Sequence, residues 1–163
     1  MHSISLWLTG SAVGELCYTA LMAMIPVVEL RGAIPFGVLT LELPFWPAFL
    51  AAVIGNLLPV PFIIIYIRRV FAFLRRKFPR FNSLVDKLER KAHLKGALVT
   101  KYRFIGLAVL VAIPLPGTGA WTGALVAAFL DMRLRKAMPA IAAGVLIAGF
   151  LVGILTLGVN ALL

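Results

Sequence analysis

Between Glu15 and Glu42 the only charged side chains are Glu29 and Arg31, and they stand where Pro26 and Pro35 interrupt a long apolar run. Charges at membrane depth are costly and face a cavity or one another. An arginine in such a place offers a planar, multi-donor fork to a phosphate or carboxylate. Glu29 would repel or release that anion, or carry a proton; the alternative is a mutually neutralising pair that only fixes the turn. Gly32 and Pro35 complete this first candidate site. A second break, Ile113-Pro114-Leu115-Pro116-Gly117-Thr118-Gly119-Ala120-Trp121-Thr122-Gly123, resembles the first but has no charge. Pro114 and Pro116 remove backbone donors there, and Gly117 and Gly119 permit a turn whose N–H groups favour an anion. Thr118 and Thr122 add hydroxyls and Trp121 a ring, while Gly119 with Gly123 also has the small-residue spacing of close helix packing. Asn56, after Gly55 in an otherwise apolar run, would seek a partner at that depth. Substrate-binding candidates are therefore Glu29, Arg31, Gly32, Pro35, Asn56, Pro114, Pro116, Gly117, Thr118, Gly119, Trp121 and Thr122.

Catalytic and metal chemistry find no support in these residue types. Cys17 is the only cysteine, and His2 and His93 have no metal-ligand spacing. No nucleophile, base and orienter can be picked out. The expectation is a protein that is not an enzyme and uses no cofactor or metal.

The elements that must hold these residues follow from composition. Of 163 residues 62% are apolar, and the mean hydropathy is +1.03. The segments 43–67, 104–130 and 137–163 contain no Asp, Glu, Lys or Arg, and each exceeds the roughly 20 residues that cross a bilayer. A fourth run, 1–28, is interrupted only by Glu15. No positive charge precedes it, so a cleaved signal peptide is not expected. The net charge of +10 is concentrated: residues 68–103 hold 12 Lys and Arg against Asp86 and Glu89, so 12 − 2 = +10, and the remainder is neutral. By the positive-inside rule this segment is a cytoplasmic loop, with anionic lipid headgroups rather than nucleic acid as its partner.

Charge placement also sets the expected topology. The run 104–130 starts at the basic loop and ends at Arg133, Arg135 and Lys136, which belong on the same side. Its two arms would be roughly 15 and 18 Å long at 1.5 Å per residue, about half the hydrocarbon thickness each. A re-entrant hairpin fits better than a span, and 16–41 reads as a second hairpin of opposite direction. An alternative makes residues 4–24 a full span. The halves align at a spacing of 88 to 89, with Ile25-Pro26 matching Ile113-Pro114 and Gly55 matching Gly144. The expected fold is an all-α integral membrane protein, one domain over 1–163, built as an inverted repeat of re-entrant helical hairpin plus transmembrane helix. The first repeat is 1–67 (hairpin 16–41, span 46–67) and the second 104–163 (hairpin 104–130, span 137–162). They are joined by the basic segment 68–103, with an amphipathic helix at 83–95 that a Ser83/Asp86 capping pattern opens.

The strings Met24-Ile25-Pro26-Val27-Val28-Glu29-Leu30-Arg31-Gly32-Ala33-Ile34-Pro35, Gly55-Asn56-Leu57-Leu58-Pro59-Val60-Pro61-Phe62 and Val111-Ala112-Ile113-Pro114-Leu115-Pro116-Gly117-Thr118-Gly119-Ala120-Trp121-Thr122-Gly123 resemble the small multi-drug export family. The resemblance covers nearly the whole chain and implies export of small compounds. More distantly the architecture resembles DedA-type membrane proteins, whose paired re-entrant hairpins carry acidic and arginine residues and are associated with lipid-phosphate translocation. Only Glu29 and Arg31 carry over, since 104–130 has no arginine. The reading that follows is a secondary exporter of a small or amphipathic compound in the cytoplasmic membrane, multi-pass, with a midplane site between the hairpins and possible homodimerisation. The alternatives are a lipid-phosphate translocase, for a polyisoprenyl-phosphate or phospholipid, and a non-transporting membrane scaffold or assembly factor.

Overall fold

The computed structural model describes residues 11–77, 82–95, 97–113, 115 and 118–160, and among these every regular element is a helix. The chain divides into two compact units, Met1–Leu58 with Val145–Leu163, and Pro59–Gly144.

In the first unit, α1 (Ala12–Met24) starts at Ser11, whose side chain accepts a hydrogen bond from the Gly14 N–H at 3.1 Å. Glu15 lies in the first turn, where a negative charge suits the helix dipole. The helix ends at Ile25, which is extended (φ −71°, ψ 128°) as a residue before proline must be. Pro26 to Val28 turn the chain into α2 (Glu29–Pro35). Pro35 cannot donate to the carbonyl four residues earlier, and the ladder widens directly after it into a π-helical turn, Phe36–Thr40. Next comes α3 (Phe45–Leu57), entered through Pro44. Helices α1, α2 and α3 pack on one another, and the tightest approach is at Gly55, where a Cβ would stand 2.1 Å from the Ala20 carbonyl oxygen. The far part of α8 (Leu134–Asn160) belongs here too: Phe150 meets Phe49 at 4.9 Å between ring centroids, and Gly149 and Gly153 make room for the Phe49 and Phe45 rings. Those two glycines thus serve packing.

The second unit holds α4 (Val60–Lys77), α5 (Asn82–Lys95), α6 (Ala97–Ala112), α7 (Ala120–Phe129) and the start of α8. Helix α7 is its centre, packed against α4, α5 and α6. Phe71 of α4 stacks on Phe129 of α7 at 5.7 Å. A Cβ on Gly144 would come within 2.6 Å of the Ala108 carbonyl oxygen and of Val111. On α5, Val85 is buried while Asp86, Lys87 and Arg90 are exposed, the division an amphipathic helix requires.

Positions 88 or 89 residues apart share local structure. Gly55 and Gly144 (144 − 55 = 89) both press on a backbone carbonyl, of Ala20 and Ala108 respectively (108 − 20 = 88). Glu42 (φ 53°) and Asp131 (φ 51°), again 131 − 42 = 89 apart, are both left-handed. Asp131 occupies the position after the α7 C-cap, where glycine or asparagine is usual. Its N–H bonds to the Ala128 carbonyl and the Met132 N–H returns to Ala127 at 2.9 Å, a Schellman closure. At Glu42 the return bond runs from the Leu43 N–H to Gly37 at 3.0 Å, one residue longer because the preceding turn is π-helical. Leu43 and Met132 are both buried behind the corner, and the next helices start at Phe45 and Leu134, 134 − 45 = 89 apart.

Candidate functional site

The first break puts a carboxylate into an apolar core. Glu29 is only 4% exposed, and its neighbours on α2, Leu30, Ala33 and Ile34, are buried as well. Its backbone is left-handed (φ 50°), and its N–H closes the turn on the Ile25 carbonyl at 2.9 Å. A non-glycine residue in this conformation costs on the order of 1 kcal/mol, so the rest of the unit must hold it there. Arg31, half-buried on the same short helix, interacts electrostatically with Glu29. Gly32 follows because a Cβ there would stand 2.5 Å from the Val28 side chain that ends the turn. Pro35 terminates the α-helical part. Glu29, Arg31, Gly32 and Pro35 are thus one local constellation.

Asn56 lies on α3, which packs against α2. It is wholly buried, and among the described residues neither its amide nitrogen nor its amide oxygen has a hydrogen-bond partner. An amide taken from water without a partner costs about 1–3 kcal/mol in proteins. Thr19, also wholly buried in this unit, differs because its hydroxyl donates to the Glu15 carbonyl at 2.9 Å. The structural demand at Asn56 can be judged from position 145, which is 145 − 56 = 89 residues on and follows Gly144 as Asn56 follows Gly55. Val145 stands there, equally buried. An apolar, β-branched residue fills the corresponding position, so packing does not call for the amide.

The second break is built from backbone. The Thr118 hydroxyl lies 2.6 Å from the Ile113 carbonyl and 2.7 Å from that of Leu115, and can donate across the interruption. The Leu115 N–H bonds to Ile113 at 2.9 Å. Gly119 (φ 116°) makes the turn into α7 in a conformation that L side chains rarely adopt. Trp121 and Thr122 are partly buried in the first turn of α7. Pro114, Pro116 and Gly117 lie outside the described residues. The expected sites therefore separate: Glu29, Arg31, Gly32, Pro35 and Asn56 belong to the first unit, and Thr118, Gly119, Trp121 and Thr122 to the second. Among the described residues no group of three or more His, Cys, Asp or Glu side chains forms a metal-binding cluster.

Sequence reasoning missed the left-handed acids at the two corners and the ion pair of Arg68 with Asp131. A signal was present, since Leu-Glu-Leu and Leu-Asp-Met each place one carboxylate between apolar residues just before a helix, at the repeat spacing.

Among the described residues the fold is all-helical, with two apolar helical stretches long enough to cross a membrane, Phe45–Phe73 and Leu134–Gly158. The chain belongs to the family described as putative small multi-drug export protein, whose model matches residues 29–151, that is 151 − 29 + 1 = 123 of 163 residues. That description, with the two apolar stretches, points to a membrane exporter rather than an enzyme. No curated protein and no solved structure matches the chain.

Proposed function

We propose that this protein is a secondary exporter of small or amphipathic compounds, with its polar site at the first break. The observation that carries the proposal is Asn56, a fully buried amide with both polar atoms unanswered, where the corresponding position holds Val145. A side chain that burdens the resting fold in this way has its partner in another state, in which substrate or water reaches it. Glu29 and Arg31 supply the charge of the site, and Glu29, held left-handed beside the break, is the group that exchanges a proton during transport. Thr118, Gly119, Trp121 and Thr122 form the uncharged counterpart at the second break.

In this reading 16–41 and 104–130 are re-entrant hairpins of an inverted repeat, and the basic segment 68–103 faces the cytoplasm and its anionic lipids. The shared corners and the matching Gly55 and Gly144 contacts support the repeat. The test is efflux of the amphipathic dye ethidium from proteoliposomes under a pH gradient. Asn56→Val is expected to abolish efflux while raising the thermal midpoint, because it removes an unpaired amide. Glu29→Gln is expected to leave any residual efflux insensitive to the gradient. Undiminished efflux in Asn56→Val, or gradient-driven efflux retained in Glu29→Gln, would refute these assignments.

A further inference from the structure

The corner between α7 and α8 holds a polar feature remote in sequence from the first break. A pocket of about 440 Å³ is lined there by Phe104, Asp131, Met132, Arg133 and Lys136. Asp131 is engaged by Arg68, a partner 63 residues away in sequence, so the carboxylate on this wall is already neutralised. Among the described residues no carboxylate pairs with Arg133 or Lys136, which are both exposed. Among the described residues the pocket therefore presents Arg133 and Lys136 as its cations and an apolar wall of Phe104 and Met132.

The cations are not needed to build the corner. The corresponding corner has Pro44 and Pro47 where this one has Arg133 and Lys136 (133 − 44 = 89; 136 − 47 = 89), with the same left-handed acid before it and a helix start after it. Placed at the start of α8, positive charge opposes the helix dipole, and backbone N–H groups there add to the same field. An anion is the missing complement. Its depth is set by the apolar stretch Leu134–Gly158, which starts within this corner. Where such a stretch ends, lipid phosphates lie.

We propose that this pocket binds the phosphate of an anionic phospholipid, with Arg133 and Lys136 on the phosphate oxygens and Phe104 and Met132 against the start of the acyl chains. The site is independent of the transport reading. Delipidated full-length protein in detergent is titrated with phosphatidylglycerol, phosphatidylcholine or inorganic phosphate and followed by native mass spectrometry. Phosphatidylglycerol is expected to bind about tenfold tighter than phosphatidylcholine, and the double change Arg133→Gln with Lys136→Gln to remove about that factor. Arg135→Gln, a neighbouring cation outside the lining, matches the charge change of either single substitution, Arg133→Gln or Lys136→Gln, and is expected to have little effect. Asp131→Asn is expected to tighten binding, because it removes the carboxylate and releases Arg68. Equal affinity for the two lipids, or equal losses in Arg135→Gln and in either single change of the pair, would reduce these cations to topology signals and overturn the site. Inorganic phosphate binding as tightly as phosphatidylglycerol would overturn the lipid assignment.

Discussion

The helix–break–helix of 12–40 and that of 97–129 use the same mechanical parts for different ends. Each has a first arm that a later glycine presses upon, an interruption at an Ile-Pro step and a left-handed acid that closes the corner before a long apolar helix. They differ in what was added. The first carries a buried glutamate, a half-buried arginine and an orphaned amide; the second carries backbone turns, a bridging hydroxyl and cations at its corner. Shared features are therefore those the architecture requires, and unshared polar features are where function is to be sought.

The most severe break in this comparison should come at the shared glycines. Gly55→Ala and Gly144→Ala drive a methyl into a backbone carbonyl, which cannot swing aside as a side chain can. A loss of about 3 kcal/mol or more is expected for Gly55→Ala, and somewhat less for Gly144→Ala, where part of the clash is with Val111. Thermal unfolding in detergent would read both. If either variant kept its midpoint, the two glycines would not be equivalent contacts.

A reciprocal exchange comes next. Val145→Asn should destabilise by about 1–3 kcal/mol, and Asn56→Val should stabilise by a similar amount, since each change makes or removes a buried unpaired amide. Effects of the same sign in the two variants would defeat the idea that one position tests the other.

Smaller shifts are expected at the corner acids. Glu42→Asn eases a left-handed backbone and should gain about 0.5–1 kcal/mol. Asp131→Asn should gain less, because it also costs Arg68 its partner. Gly158→Ala, with open space around its Cβ, calibrates the set: it should stabilise α8 by a few tenths of a kcal/mol, up to about 1. A destabilised Gly158→Ala would mean that helix glycines are sensitive for a reason other than close approach.

Much of this organisation was legible before any coordinates. The Ile25-Pro26 step marks the end of α1 because the residue before proline avoids the helical region, and the observed extended Ile25 follows from that rule. The helix expected over 83–95 is present as Asn82–Lys95, with Ser83 inside its first turn rather than at its cap. What was harder to read was the fate of each polar group. Thr118 is a candidate ligand hydroxyl by residue type, and only the structure shows that it also lies in position to bridge two carbonyls of its own turn. Glu42 and Asp131 are single charges at the ends of apolar runs, and nothing in that pattern shows that each carries a left-handed turn.

Apolar runs, proline and glycine interruptions and the concentration of charge in 68–103 are local properties, and they alone imply helices, breaks and a membrane setting. The pairing of Arg68 with Asp131, the approach of Gly55 to Ala20 and the isolation of Asn56 depend on how helices far apart in sequence come to rest against each other. Backbone sterics are settled within a few consecutive residues. Whether a buried polar atom finds a partner is settled by packing geometry, because hydrogen bonds fail over an ångström that no sequence spacing specifies.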